Sequence, residues 1–585
     1  MRLRTVFSIA GIFAVVAIAV FGVYFFYFRN DSRGDMGHAA LAASVAPEPI
    51  SPVAPVPLPR NGDISNAAAA SSDEETESTP EPEPTPEPTP EPTPAPWEIF
   101  SPYATPETDP ANVRGFSFTS RINGALYPVH FGMPDTYAAV AGITTFRGNN
   151  FRNTATWGTV EVSERRLVQR YSFNIGSLGR WTGVGWTGQP AIVQWDFEIQ
   201  QLMNIFPGFR DNPELVEVIY GALDGNVYFF CLQTGEPTRN NIRVGVPIKG
   251  GITIDPRGYP ILYVGQGDQA GNRFGYYIFS LLDGREIYFI NGLYAAAPRR
   301  WGAFDSNPLF DSANDRMILG GENGVLHSIL LNTHFDRAEP SISISPEISR
   351  YWHNTGRRLG IENSPSALGH YLFFADNSGT IQCLDLRTLE PVWVFNAGDD
   401  TDSTMVLEWR EDTQNLYIYT ATQVDLQGPG GSSFIRRLDA TNGTVLWEYS
   451  YRAVYNTAVN GGVTSTPLLG QHDIDDLVIF WVAKVIGRGG SGALTAFDRV
   501  TGEIVWENIM PRWGWSSPVA VYTEDGTSYI IVSDSGGFMH LLRGTTGEIL
   551  YTINLGANIE ASPAVFGNML VVGTRGQRIF GIEII

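Results

Sequence analysis

GALTAFDRVTGEIVW, residues 492–506, reads as two β-strands joined by a turn. Ala493 to Phe497 forms the first apolar run, Asp498 to Gly502 the turn, and Glu503 to Trp506 the start of the second strand. Glycine supplies the positive φ of a tight hairpin, and alternating apolar residues give each strand one buried face. One such hairpin decides little. Its recurrence decides the fold, because a unit repeated along a chain is the signature of propellers and solenoids.

Copies lie at 216–236, 260–288, 315–333, 371–393, 415–447, 476–506, 528–551 and 568–585. Upstream of each stands a short lead-in to a further strand, often Ser/Thr-x-Pro in character. These are TGQP (187–190), KGGI (249–252), DSNP (305–308), ENSP (362–365), TDST (401–404), TSTP (464–467), WSSP (515–518) and EASP (560–563). Both landmarks count to eight. The last copy lacks its Trp-bearing strand, and LVQRYSFNIG (167–176) offers a replacement, with Tyr171 or Phe173 in the Trp role. An open sheet edge invites aggregation, so a borrowed strand that closes the ring is expected. The pattern predicts an all-β chain whose residues 166–585 form an eight-bladed β-propeller, with 116–165 as an N-terminal extension packed on it.

LDATNGTVLW (438–447) and FDRVTGEIVW (497–506) carry an AxDxxTGxxxW-like pattern, and LDLRTLEPVW (384–393) is a weaker copy with Leu389 in place of glycine. This resembles the quinoprotein-like, or PQQ-like, eight-bladed propeller family, and within it the BamB-like non-catalytic branch. TTFRGNNFRNTATWG (144–158) resembles the segment before the first blade in that family. The resemblance implies the fold over about residues 144–585 and is far less specific for function. The family's enzymes use PQQ, a disulfide of adjacent cysteines and a Ca²⁺ held by carboxylate and amide ligands. Here no cysteines are adjacent and no CxxCH haem site occurs. Asp305, Glu362 and Asn363 remain the residues that PQQ-linked Ca²⁺ would use. The expected cofactor is none.

Residues 1–5 form a short tail, and 6–28 an uncharged apolar run flanked by Arg2, Arg4 and Arg29. About 20 apolar residues span a bilayer, whereas the apolar core of a cleavable signal is shorter, so an uncleaved transmembrane anchor is expected. A cut signal peptide is the alternative, with small-residue sites between Ala39 and Ala46. Residues 29–115 read as a Pro/Glu/Thr-rich linker unable to bury a core. As polyproline II, Pro80 to Pro96 would reach about 50 Å. Such a stalk suits a propeller held outside the cytoplasm on a single-pass segment of the cytoplasmic membrane. Thirteen acidic and two basic residues between 36 and 115 account for half of the formal charge of −22. Neither part has the basic excess that phosphate backbones require, which excludes nucleic acid as the expected partner. Cys231 and Cys383 occupy the repeat position of Ala496 in different units and are expected to be separate, small core residues.

Function should sit in the loops that lead into the innermost strands, because they surround one mouth of the central channel. The first lead-in residues give a ring of Thr187, Lys249, Asp305, Glu362, Thr401, Thr464, Trp515 and Glu560. Preceding loops add Trp181, Trp186, Arg300, Trp301, His353, Arg357 and Trp513. Aromatic and Arg side chains around a funnel would suit a protein or cell-envelope glycan through stacking and bidentate hydrogen bonds. The leading expectation is a non-enzymatic binding or scaffold module. A PQQ/Ca²⁺ oxidoreductase and a glycan-active hydrolase using Asp305, Glu362 and Glu560 are the alternatives.

Overall fold

The computed structural model describes residues 94–124, 128–269, 273–355, 359–456 and 459–585. The proposed anchor at 6–28, most of the linker and Arg357 lie outside the described residues. Among the described residues no helix is long and apolar enough to cross a membrane.

Eight antiparallel sheets form the blades of a propeller. Each lead-in runs into an innermost strand, directly in seven blades and one residue later in blade 5: Ala191–Gln194, Thr253–Ile254, Leu309–Asp311, Ser366–Leu368, Val406–Arg410, Leu468–Leu469, Val519–Tyr522 and Ala564–Phe566. Blade 8 is completed by Leu167–Asn174, which pairs antiparallel with the C-terminal strand Arg578–Ile584. The borrowed strand therefore closes the ring.

The repeat's glycine and tryptophan meet between blades rather than within one. Each joins neighbouring blades. A β-carbon on Gly502 of blade 6 would sit 2.7 Å from the Trp447 indole of blade 5, and one on Gly443 would sit 2.7 Å from Trp393 of blade 4. The indole nitrogens of Trp393, Trp447 and Trp506 donate to Ala440 O, Arg499 O and Gly544 O of the next blade. At the ring's seam Tyr171 takes the Trp role. Its ring covers Gly235 of blade 1, and its hydroxyl donates to Leu232 O.

The lead-ins form an inner ring. Gly251 N donates to Asn307 Oδ1, Asn307 N to Ser364 Oγ, and Ser364 N to Thr404 Oγ1. Thr466 N donates to Ser517 Oγ, and Ser517 N to Ser562 Oγ. A short side chain that accepts a neighbour's amide satisfies a buried donor which strand pairing leaves unpaired, so Ser, Thr and Asn recur there.

The N-terminal extension does more than pack on the propeller. Ala141–Ile143 pairs with the innermost strand of blade 1, and Thr156–Trp157 with that of blade 8. The turn between them, TTFRGNNFRNT, enters the channel and brings Phe146, Arg147, Phe151 and Arg152 to full burial. Arg152 donates to Phe146 O, Asn307 O, Pro308 O and Pro365 O, and Arg147 to Pro518 O. Carbonyl dipoles of three lead-in prolines thus solvate two guanidinium groups that water does not reach, although burial still lowers both pKa values to about 10. Farther upstream, Ser117–Arg121 adds a fifth strand to the outer edge of blade 3.

Cys231 and Cys383 are free, buried and in different blades. Gly502 and Gly556 have φ values of +75° and +86°, but only Gly502 has an aromatic neighbour. Gly556→Ala should cost about 1 kcal/mol through backbone strain, and Gly502→Ala about 2–3 kcal/mol because it also pushes Trp447 away. Urea midpoints measure the difference. Arg152→Leu, which strips the carbonyls of their donors, should cost about 3 kcal/mol by the same assay.

Candidate functional site: an acidic channel mouth

Innermost strands start at the lead-ins, and the turns between second and third strands return to the same end of each blade. Two sets of loops therefore face one mouth. In blade 3 they bring Asp305 and Glu322 together, and blade 4 contributes Glu362. Carboxylate oxygens of these three residues lie within 4.8 Å of one another. Lys249 Nζ lies 2.8 Å from Asp305 Oδ2 and 3.9 Å from Glu322 Oε1, while Arg299 approaches Glu322 at 3.9 Å.

Blade 5 extends the cluster. Asn377 Nδ2 bonds to Glu362 Oε1 at 3.1 Å, Asp400 Oδ1 at 3.2 Å and Asp402 Oδ1 at 3.1 Å. An amide has two hydrogens, so three carboxylates share too few donors. Gln423 Nε2 also bonds to Asp402 Oδ2. Asp305 Oδ1 and Glu322 Oε1 have no hydrogen-bond partner.

Burial explains the electrostatics. Loss of water pushes the Asp305 carboxyl up to about 6, and Glu362 adds to the rise while Lys249 opposes it. Glu322 is held well above the carboxylate range by burial, then by the charges of Glu362 and Asp305. Burial also raises Asp400 and Asp402 well above it, with repulsion from Glu362 and, for Asp402, from Asp400. Burial works to lower the Lys249 ammonium, but Asp305, Glu322 and Glu362 outweigh it and raise its pKa. The mouth is a site short of positive charge.

The other residues expected at the mouth separate into groups. Asn363 is no free cation ligand. Its Nδ2 donates to Ala375 O and Thr401 O, and its Oδ1 accepts from Ala375 N, so the amide is spent on joining blades 4 and 5. His353 lies 2% exposed in the outermost blade strand Glu347–Asn354, bonded to Asp376 and stacked on Phe116. Glu560 stands apart from the cluster, 3.5 Å from Arg575, and burial raises its pKa. Trp181 donates its indole NH to Asp268 beneath the Arg180 guanidinium, and Trp301 stands edge-on to Phe274. Trp513 and Trp515 pack together at 5.2 Å, with Lys484 over the Trp513 ring. Trp186 is half-buried and Arg300 exposed. Glu322 and Asn377 were not singled out by the sequence, whereas Asp400 and Asp402 lay in the loop AGDD (397–400) and the lead-in TDST (401–404) without being named individually. Glu322 and Asn377 occupy the turns GENG and DNSG, whose place in the repeat was the signal available.

Asp305, Glu322 and Glu362 offer the oxygen donors a hard cation such as Ca²⁺ prefers, with Lys249 competing for the same oxygens. PQQ does not fit. It is a tricarboxylate, and this mouth would set it among five carboxyl groups that outnumber the two cations present, Lys249 and Arg299. The paired cysteines that face the quinone in the family's enzymes have no counterpart in Cys231 and Cys383.

A family model described as outer membrane protein assembly factor BamB matches residues 490–584. The outer membrane protein assembly factor BamB of Kangiella koreensis is 29% identical over 166 residues, 27% of this chain and 41% of that protein. Its Burkholderia pseudomallei counterpart is 26% identical over 208 residues, 35% of this chain and 47% of that protein. The chain thus spans less than half the length of these curated relatives. Among solved structures, BamB from Moraxella catarrhalis is 20% identical with a TM-score of 0.43, covering 71% of this chain and 97% of that one. The computationally designed Ika8 protein is 11% identical with a TM-score of 0.42, covering 74% and 100%. The matches to assembly-factor sequences agree with the PQQ-like, BamB-like resemblance carried by the repeats.

Asp305 gives the mouth a measurable signature. Its folded pKa of about 6 lies above the ordinary 3.8, so its contribution to stability is complete below the ordinary value and lost as pH rises through about 6. Stability should fall by about 2 kcal/mol between about pH 4 and about pH 7 on this account, and Asp305→Asn should flatten the fall. Melting temperatures across that range test it.

Proposed function

We propose that this PQQ-like, BamB-like propeller is a non-enzymatic binding scaffold whose acidic mouth accepts a basic segment of a partner protein. In this reading residues 6–28 anchor the chain in the cytoplasmic membrane and the linker from residue 29 holds the propeller, residues 166–585, outside the cytoplasm, its last part already docked on blade 4, where Phe100 packs on Tyr371 and Phe373. The observation that carries the binding role is the convergence of Asp305, Glu322, Glu362, Asp400 and Asp402 at one mouth, with Asn377 and Lys249 as their shared donors. A Lys or Arg side chain entering there would supply the positive charge that burial has made scarce, and Arg would bond two carboxylate oxygens at once. The name of the relatives, assembly factors, supports a protein partner.

The other readings draw less support. A PQQ oxidoreductase would place an anionic quinone among carboxylates. A hydrolase built on Asp305, Glu362 and Glu560 loses its third member, because Glu560 pairs with Arg575. A neutral glycan has little to gain from a mouth whose unmet need is charge.

Fluorescence anisotropy of a labelled hexa-arginine peptide with the full chain tests the proposal. Binding should weaken as salt rises and as pH falls through about 6, because protons and the peptide compete for the same carboxylates. Asp400→Asn with Asp402→Asn, or Glu362→Gln, should weaken it about tenfold or more. Variants that bind as well as the parent would show that the peptide goes elsewhere, and the reading would be wrong.

A further inference from the structure

The channel has a second mouth, at the end where innermost strands finish. The extension crosses this face: Ala139 N bonds to Pro256 O, His130 N to Asp311 Oδ2 and Val160 N to Tyr522 O, at the ends of innermost strands or in the turn just after one. Between its two crossings, 133–138 and 142–158, lies a cleft of about 640 Å³, with Gln471 from the corresponding turn of blade 6 on its rim. That volume falls within the range of about 300–1,000 Å³ typical of small-molecule sites.

From this geometry we infer that the cleft binds a neutral saccharide. Trp157 lines it and is 40% exposed, an unusual state for a side chain with so much apolar area. Among the described residues, its indole NH, the Asn153 Nδ2, the Asp135 carboxylate and the Gln471 side-chain amide have no hydrogen-bond partner in the protein, while the Gln471 backbone N donates to the Tyr522 hydroxyl. Asn153 is nevertheless held in place, because its Oδ1 accepts from Asn149 Nδ2 at 2.8 Å. Gly148 lets the wall turn with a φ of +76° where a β-carbon would strike Thr154 O at 2.6 Å.

This set matches the two faces of a pyranose. Its C–H face packs on an aromatic ring, and its hydroxyls, each donor and acceptor, pair with planar amide and carboxylate groups. An aliphatic ligand would bury the amides unpaired, at a cost for each. An anion would meet Asp135 in a chain of net charge −22, with no Lys or Arg lining the cleft. The site is independent of the acidic mouth, at the opposite end of the same strands.

Isothermal titration of the full chain with cellobiose, maltose, chitobiose and mannobiose tests this. The expected result is saturable binding of at least one sugar, weakened about tenfold or more by Trp157→Ala and by Gln471→Ala at unchanged melting temperature. The inference is overturned by an absence of saturable binding across these sugars. It is equally overturned if Trp157→Ala binds within about twofold of the parent, or if Glu362→Gln abolishes binding while Trp157→Ala does not.

Discussion

Four outer-strand aromatic residues of this protein are buried by the next blade rather than by their own. Trp393, Trp447 and Trp506 are each covered by the turn glycine of the following blade and hydrogen-bond to its backbone, and Tyr171 repeats the arrangement across the seam. Burying a side chain of this size is worth roughly 2–3 kcal/mol, so a blade without its neighbour leaves a sizeable apolar debt exposed to water. The inner ring of Ser, Thr and Asn acceptors links neighbouring lead-ins in the same blade-to-blade sense. Coupling at two radii makes the blades mutually dependent, and ring closure becomes a condition of stability.

The mouth inherits its chemistry from that ring. Fixed lead-ins hold Asp305 and Glu362 side by side, and the neighbouring turns deliver Glu322 and Asn377. Carboxylates this close in water would turn away from one another. Here the ring holds their backbones still, so repulsion and lost hydration appear as raised pKa values instead. The opposite sign is handled differently below them. Arg147 and Arg152 face carbonyl oxygens of lead-in prolines, and the channel is closed by protein dipoles.

Legibility in the sequence followed the range of the interaction. Alternation, the TG turn and the eight lead-ins, six of them ending in proline, are local, and they placed the innermost strands and the seam strand Leu167–Asn174. The partner of each Trp was not legible, because it lies in the next repeat rather than in the same hairpin. Residues 144–154 were read as part of an extension packed on the propeller, but not as a channel insertion, since the carbonyl partners of Arg152 in other blades lie more than 150 residues away. At the mouth, Asp305, Glu362 and Lys249 were found by their place in the repeat. Asn363 has the right type and position for a ligand, but its amide is consumed by backbone groups that no sequence pattern displays.

The seam strand also fixes the order of events during synthesis. Leu167–Asn174 is made before any complete blade, yet its hydrogen-bonding partner is Arg578–Ile584, at the far end of the chain. Until that strand emerges, an exposed edge must wait while about 400 residues are added, at roughly 5–20 residues per second. The first strand of the ring is thus the last to find its place, and for tens of seconds the nascent protein depends on whatever shields that edge from other chains.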